Sequence, residues 1–196
     1  MERRLILIGG SSGSGKSTTA RLLAKELDAG WLQVDTLWVA LQGAFASDEA
    51  VSRLLQVDRR LRESDEPAQT LVEHQIAAGR FVCSVIPKAL WAELQAHDTL
   101  VADGAWLLPE FAANLKIEGA TVFGAYLQEP DAVAVRRALD SRRVSKQPQR
   151  WHAQVANVSW AYGNWLAEEA RRFGLPVVAA RPRGSLVARL RTALGV

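Results

Sequence analysis

A lysine, a serine and a threonine, Lys16-Ser17-Thr18, close a run of small residues, Gly9-Gly10-Ser11-Ser12-Gly13-Ser14-Gly15. Backbone amides can converge on an anion only where side chains are out of the way, and glycine supplies that freedom. An ammonium and a hydroxyl at the end of such a run complete a site for a polyphosphate and its metal ion. The spacing G-x-x-x-x-G-K-[ST] is met by Gly10, Gly15, Lys16 and Ser17. We expect Gly10, Ser11, Ser12, Gly13, Ser14, Gly15, Lys16, Ser17 and Thr18 to cradle the phosphates of ATP, with Lys16 at the β- and γ-phosphates and Ser17 on Mg²⁺. The alternative is a flexible Gly/Ser turn, and the flanking segments argue against it.

Two acids sit where such chemistry needs them. Asp35 follows the short apolar segment Trp31 to Val34, and a carboxylate there can deprotonate or orient an attacking hydroxyl, or cap the helix that follows. Asp103 ends the apolar run Thr99 to Ala102, the form of a Walker B strand, and is expected to hold Mg²⁺ or its water opposite Ser17. Trp106 follows at once, either lining an acceptor or packing in the core. Arg136, Arg137, Arg142 and Arg143 cluster before a polar, proline-broken stretch. Guanidinium groups so placed suit a lid, about 136–150, that closes on the γ-phosphate, with Arg142 and Arg143 catalytic and Arg136 on the phosphates. A solvated basic face is the plainer reading.

The elements that must position these groups are legible from periodicity. Leu5-Ile6-Leu7-Ile8 reads as a buried strand before the glycine run, and Thr19 to Leu27 has apolar residues at helical spacing. Residues 31–34, 99–104, 122–127 and 175–179 read as further strands. Residues 48–97 read as amphipathic helices broken at Ser64-Asp65-Glu66-Pro67 and bent at Pro87, part of a helical cap of about 36–97. A helix starts near Ala132, Trp151 to Phe173 is a long one, and a last helix follows Gly184. The predicted fold is α/β: a P-loop NTPase fold with a parallel sheet of about five strands, helices on both faces, a cap and an Arg-rich lid. Arg181, after the last strand, is expected beside the nucleotide.

The 196 residues, 48% hydrophobic and 23% charged, can bury one substantial core, and we expect a single domain over 1–196. A net charge of +3 does not argue for nucleic acid. A single cysteine, Cys83, cannot form an intramolecular disulfide, and no apolar run is long enough to span a membrane. A cytoplasmic setting without nucleic-acid or membrane partners is expected; the oligomeric state is not legible. His74 and His97 lack partners at ligand spacing for a structural metal.

The order of phosphate loop, strand-Asp, helical block, strand-Asp-Gly, strand, Arg-rich stretch and late helix resembles the P-loop small-molecule kinases of the nucleoside-monophosphate-kinase-like group. Gly9-Gly10-Ser11-Ser12 with Val34-Asp35-Thr36-Leu37 is similar to chloramphenicol phosphotransferases, where the corresponding aspartate is the base on the acceptor hydroxyl. Val101 to Pro109, with the paired arginines ahead of Pro148-Gln149-Arg150-Trp151, resembles archaeal-type 2-phosphoglycerate kinases, which usually carry Glu where Asp103 stands. The resemblance implies an ATP- and Mg²⁺-dependent phosphotransferase acting on the hydroxyl of a small molecule. The helix resembling the acceptor-side wall carries Asn157, Trp160 and Asn164 on one face, with no Lys or Arg from Trp151 to Ala170, and Trp38 lies one turn beyond Asp35. These residues imply a largely neutral acceptor. A nucleoside or nucleotide kinase, a 2-phosphoglycerate-like metabolite kinase and, from another class, an NTP-binding ATPase module remain alternatives.

Overall fold

The computed structural model describes residues 2–141 and 149–196. Five parallel strands lie in the order β2-β3-β1-β4-β5: β1 (Arg3–Gly10), β2 (Gly30–Gln33), β3 (Thr99–Gly104), β4 (Ala120–Gln128) and β5 (Val177–Ala179). Leu5, Ile6, Leu7 and Ile8 are all fully buried in the central strand. Successive side chains point to opposite faces, so a strand covered on both sides must be apolar at every position. Leu5 and Leu7 join Leu100, Ala102 and Tyr126 on one face, while Ile6 and Ile8 join Val101, Ala125 and Leu127 on the other.

The second face is covered by α1 (Lys16–Glu26) and α10 (Leu186–Leu194), through Leu23, Leu190 and Leu194. The first is covered by α2 (Val34–Ala44), α5 (Ala68–Val85), α6 (Pro87–Leu94), α7 (Pro109–Asn114) and α9 (Gln149–Arg172). Between α2 and α5 lie α3 (Glu49–Leu55) and α4 (Val57–Glu63); α8 (Ala132–Asp140) precedes α9. Asp48 caps α3 by accepting from the Val51 amide at 3.0 Å, and Asp131 caps α8 by accepting from the Val133 amide at 2.8 Å.

Three boundaries move from expectation. The second strand stops at Gln33, because the fully buried Val34 already opens α2, so Asp35 lies in the first turn of a helix. Pro87 does not bend a helix but starts α6, where its missing N–H costs nothing. The last strand begins only at Val177, since Pro176 has no amide to give the ladder; its carbonyl accepts from Tyr126 instead, at 2.9 Å. The helices of 48–97 are helical as expected, and their buried side chains Leu55, Leu71, Val82, Leu90 and Leu94 belong to the same cluster as Leu5 and Leu7.

Candidate active site

The register sets Ile8 beside Asp103 and Gly9 beside Gly104, so the phosphate loop leaves β1 next to the acid that ends β3. Gly13 and Gly15 hold φ of 88° and 86°, a left-handed backbone that glycine adopts without the clash a side chain would bring. Ser14 donates its amide to the Ser11 carbonyl at 3.3 Å, and Thr19 donates to Gly15. Among the described residues, no group accepts from the amides of residues 12, 13 and 15–18. All but the first of these belong to residues that, with Ser11, line a small cleft of about 50 Å³: Gly13, Gly15, Lys16, Ser17 and Thr18. The Ser14 hydroxyl is buried without a partner. Converging unpaired amides, an orphaned hydroxyl and a buried ammonium are the donor set a polyphosphate needs.

Two carboxylates flank the cleft. Lys16 Nζ lies 3.3 Å from Asp35 Oδ2, with the lysine side chain 6% and the aspartate side chain 31% exposed. The other oxygen of Asp35 accepts from the Ala105 amide at 3.0 Å, so the carboxylate binds the start of α2 to the turn after β3 instead of capping its own helix. Asp103 is fully buried. Ser17 donates its hydroxyl to Asp103 Oδ2 at 2.7 Å, and Trp31 donates its indole N–H to Oδ1 at 2.8 Å. Burial pushes the Asp103 carboxyl above the usual range, and the Ser17 and Trp31 hydrogen bonds, with Lys16 nearby, oppose that rise. Hard oxygen donors from a hydroxyl and a carboxylate at this spacing fit Mg²⁺.

The remaining expected residues divide. Trp38 and Trp106 stack at 4.0 Å between ring centroids, and both are buried in the core, so they form a structural pair and not an open platform. The face of α9 assigned to the acceptor turns elsewhere. Trp160 donates its indole N–H to the Pro130 carbonyl at 3.0 Å, and Asn164 accepts from Gln128 at 3.0 Å, both at the β4–α8 junction, while Asn157 is exposed. Helical spacing fixes which residues share a face, not what that face meets. What α9 sets against the loop is Gly163, where an added Cβ would come within 2.6 Å of the Ser11 hydroxyl; the buried Tyr162 beside it donates to the Ala105 carbonyl at 2.8 Å.

Arg136 lies exposed on α8, 3.8 Å from Asp140, and Arg142 and Arg143 fall outside the described residues. Arg181 does not reach the loop; it donates to Glu129 at 2.8 Å. The neighbouring Arg183 does, donating to the carbonyls of Gly13, at 2.9 Å, and Ser14. Its spacing from the loop in sequence hides that contact. A cavity of about 590 Å³, lined by Arg53, Arg59, Arg60 and His74 among others, opens in the helical block, but neither the loop nor Asp35 nor Asp103 lines it.

The architecture has known counterparts. A gluconokinase from Sinorhizobium meliloti 1021 superposes with a TM-score of 0.55 at 15% identity, over 99% of this chain and 93% of that one. A shikimate kinase from Bacteroides thetaiotaomicron gives 0.54 at 15% identity, over 98% of each chain. The chain shares their fold. A sugar kinase from a Janibacter species matches it as well, with a TM-score of 0.54 at 21% identity over 100% of this chain and 96% of that one. No protein-family model matches the sequence, and no curated protein sequence is similar to it at a significant level. No helix among the described residues is long and apolar enough to cross a membrane.

Proposed function

We propose that this chain is an ATP-dependent kinase that transfers the γ-phosphoryl group to a hydroxyl of a small molecule, with Asp35 as the base. The observation that carries the reading is the 3.3 Å pair between a partly exposed Asp35 and Lys16, which lines the phosphate cleft. A carboxylate there can take the proton of an attacking hydroxyl, the step a kinase requires. The gluconokinase, shikimate kinase and sugar kinase that share the fold support it, and so does the local likeness of Val34 to Leu37 to chloramphenicol phosphotransferases.

Lys16 serves two anions in turn. Without a nucleotide it neutralises Asp35; a triphosphate in the cleft draws the ammonium to its own oxygens and leaves Asp35 Oδ2 to an acceptor hydroxyl. The Ala105 amide still holds the other carboxylate oxygen, so the base keeps its aim. As the hydroxyl oxygen bonds to the γ-phosphorus and the bond to the β-phosphate oxygen breaks, Asp35 takes the hydroxyl proton. The loop amides and Lys16 stabilise the charge on the phosphoryl oxygens. Ser17 and Asp103 would hold Mg²⁺, which supplies further neutralisation of the polyphosphate.

The test is acceptor-dependent release of ADP across a panel of polyols, sugar acids, cyclic alcohols, nucleosides and phosphorylated alcohols. Acceleration by one class, abolished in Asp35→Asn, is the expected result. ATP hydrolysis indifferent to every alcohol, and equal in Asp35→Asn, overturns the kinase reading in favour of an ATPase module.

A further inference from the structure

A phosphate-binding loop works only if its peptide planes are turned the right way. In a trans peptide the C=O and the following N–H point in opposite directions, so holding a carbonyl outward aims the next amide inward. Arg183 makes this arrangement at the tip of the loop. Its guanidinium donates one N–H to the Gly13 carbonyl at 2.9 Å and another to the Ser14 carbonyl. The plane that carries the Ser14 carbonyl also carries the Gly15 amide, one of the unpaired amides around the cleft. A planar fork is suited to this task because it fixes two acceptors at once, which a single ammonium cannot do.

Arg183 is itself held. Glu129, at the end of β4, has a side chain only 1% exposed; its Oε2 lies 3.6 Å from Arg183 and accepts from Arg181 at 2.8 Å. A carboxylate so deeply buried demands cationic partners, and both come from the segment after β5. Arg189 ties that segment down by donating to the carbonyls of Ala179 at 2.6 Å and Pro182 at 2.9 Å.

We propose that Arg183, anchored on the buried Glu129, is a positioning residue that keeps the carbonyls of Gly13 and Ser14 turned outward, fixing the tip of the loop and pre-aiming the Gly15 amide at the phosphates. The inference rests on the reading of this loop as a phosphate site, but not on the identity of the acceptor.

Calorimetric titration of the full chain with ATP and with inorganic tripolyphosphate, each with Mg²⁺, tests it without any acceptor. Arg183→Met keeps the apolar stem and removes the donors; it should weaken both ligands by the same factor, about tenfold or more. Arg183→Lys keeps the charge without the fork and should recover little. Glu129→Gln should weaken both ligands less, and the double variant should be no worse than Arg183→Met, because the two act in one chain of contacts. Loss of ATP binding with tripolyphosphate unchanged would place Arg183 on the base or ribose and overturn the proposal. So would full recovery in Arg183→Lys, or wild-type affinities in Arg183→Met. A thermal melt on each variant separates these from unfolding: the proposal requires a cooperative transition with the affinity lost. If the wild type binds neither ATP nor tripolyphosphate, the phosphate-site reading itself falls, and this proposal with it.

Discussion

Asp35 and Asp103 are both carboxylates beside one lysine, yet their surroundings give them different work. Asp35 keeps nearly a third of its side chain exposed and has one oxygen on Lys16, whereas Asp103 is buried with each oxygen hydrogen-bonded. Asp35→Asn retains an oxygen for the Ala105 amide but cannot take a proton. It should bind ATP close to normally and lose about 10²–10⁴-fold in kcat, measured by acceptor-dependent ADP release. A variant with near-normal kcat would leave Asp35 only the task of joining α2 to β3. Trp31→Phe tests the other carboxylate. It keeps most of the ring but leaves a buried carboxyl oxygen without its donor, and should cost about 1–3 kcal/mol in urea unfolding. That both acids would lie beside the loop is legible from spacing for a physical reason: each ends or follows a short strand, and parallel strands bring those ends to the same edge as the loop after β1. Arg183 was not legible, because its role depends on the return of a segment from the far end of the chain to the carbonyls of Gly13 and Ser14.

The strands were read with least error, since burial on both faces writes an unbroken apolar run into β1 and β3. Helix α9 shows where such reading stops. Its periodicity places Asn157, Trp160 and Asn164 on one face, but periodicity does not say what that face meets, and the structure turns it to the β4–α8 junction. That face therefore does not bear on the charge of the acceptor. The Trp38–Trp106 pair carries a different lesson. Both residues were candidates for an acceptor platform, yet stacking at 4.0 Å inside the core makes them the rivet between α2 and the turn after β3. Trp106→Ala should destabilise the protein by about 3–5 kcal/mol, read from chemical denaturation. It should also lower kcat, since Asp35 and the Ala105 amide sit on the two elements the pair joins. A loss below about 1 kcal/mol would show that the stack is dispensable.

Both hydrophobic clusters meet at β1, whose alternate residues feed one and then the other, and the phosphate loop is the direct continuation of that strand. A ligand held by the loop, by α1 and by the end of β3 therefore grips the centre of the whole fold. Magnesium-ATP at about a hundredfold over its dissociation constant should add roughly 2.7 kcal/mol of stability, or about 5–10 °C in Tm for a chain of this size. Lys16→Ala should melt cooperatively without showing the shift; equal shifts in wild type and variant would dismiss the loop as the binding site. Helix α9 runs unbroken from Gln149 to Arg172 and touches the loop at Gly163, where nothing but hydrogen stands between the helix and Ser11. Val158 on one side of that contact and Leu166 on the other are buried in the core, and Gln154 donates to the Ser64 carbonyl at 2.8 Å. The helix therefore cannot step back, and a methyl group at position 163 would have to be accommodated by the Ser11 side chain, inside the phosphate loop itself.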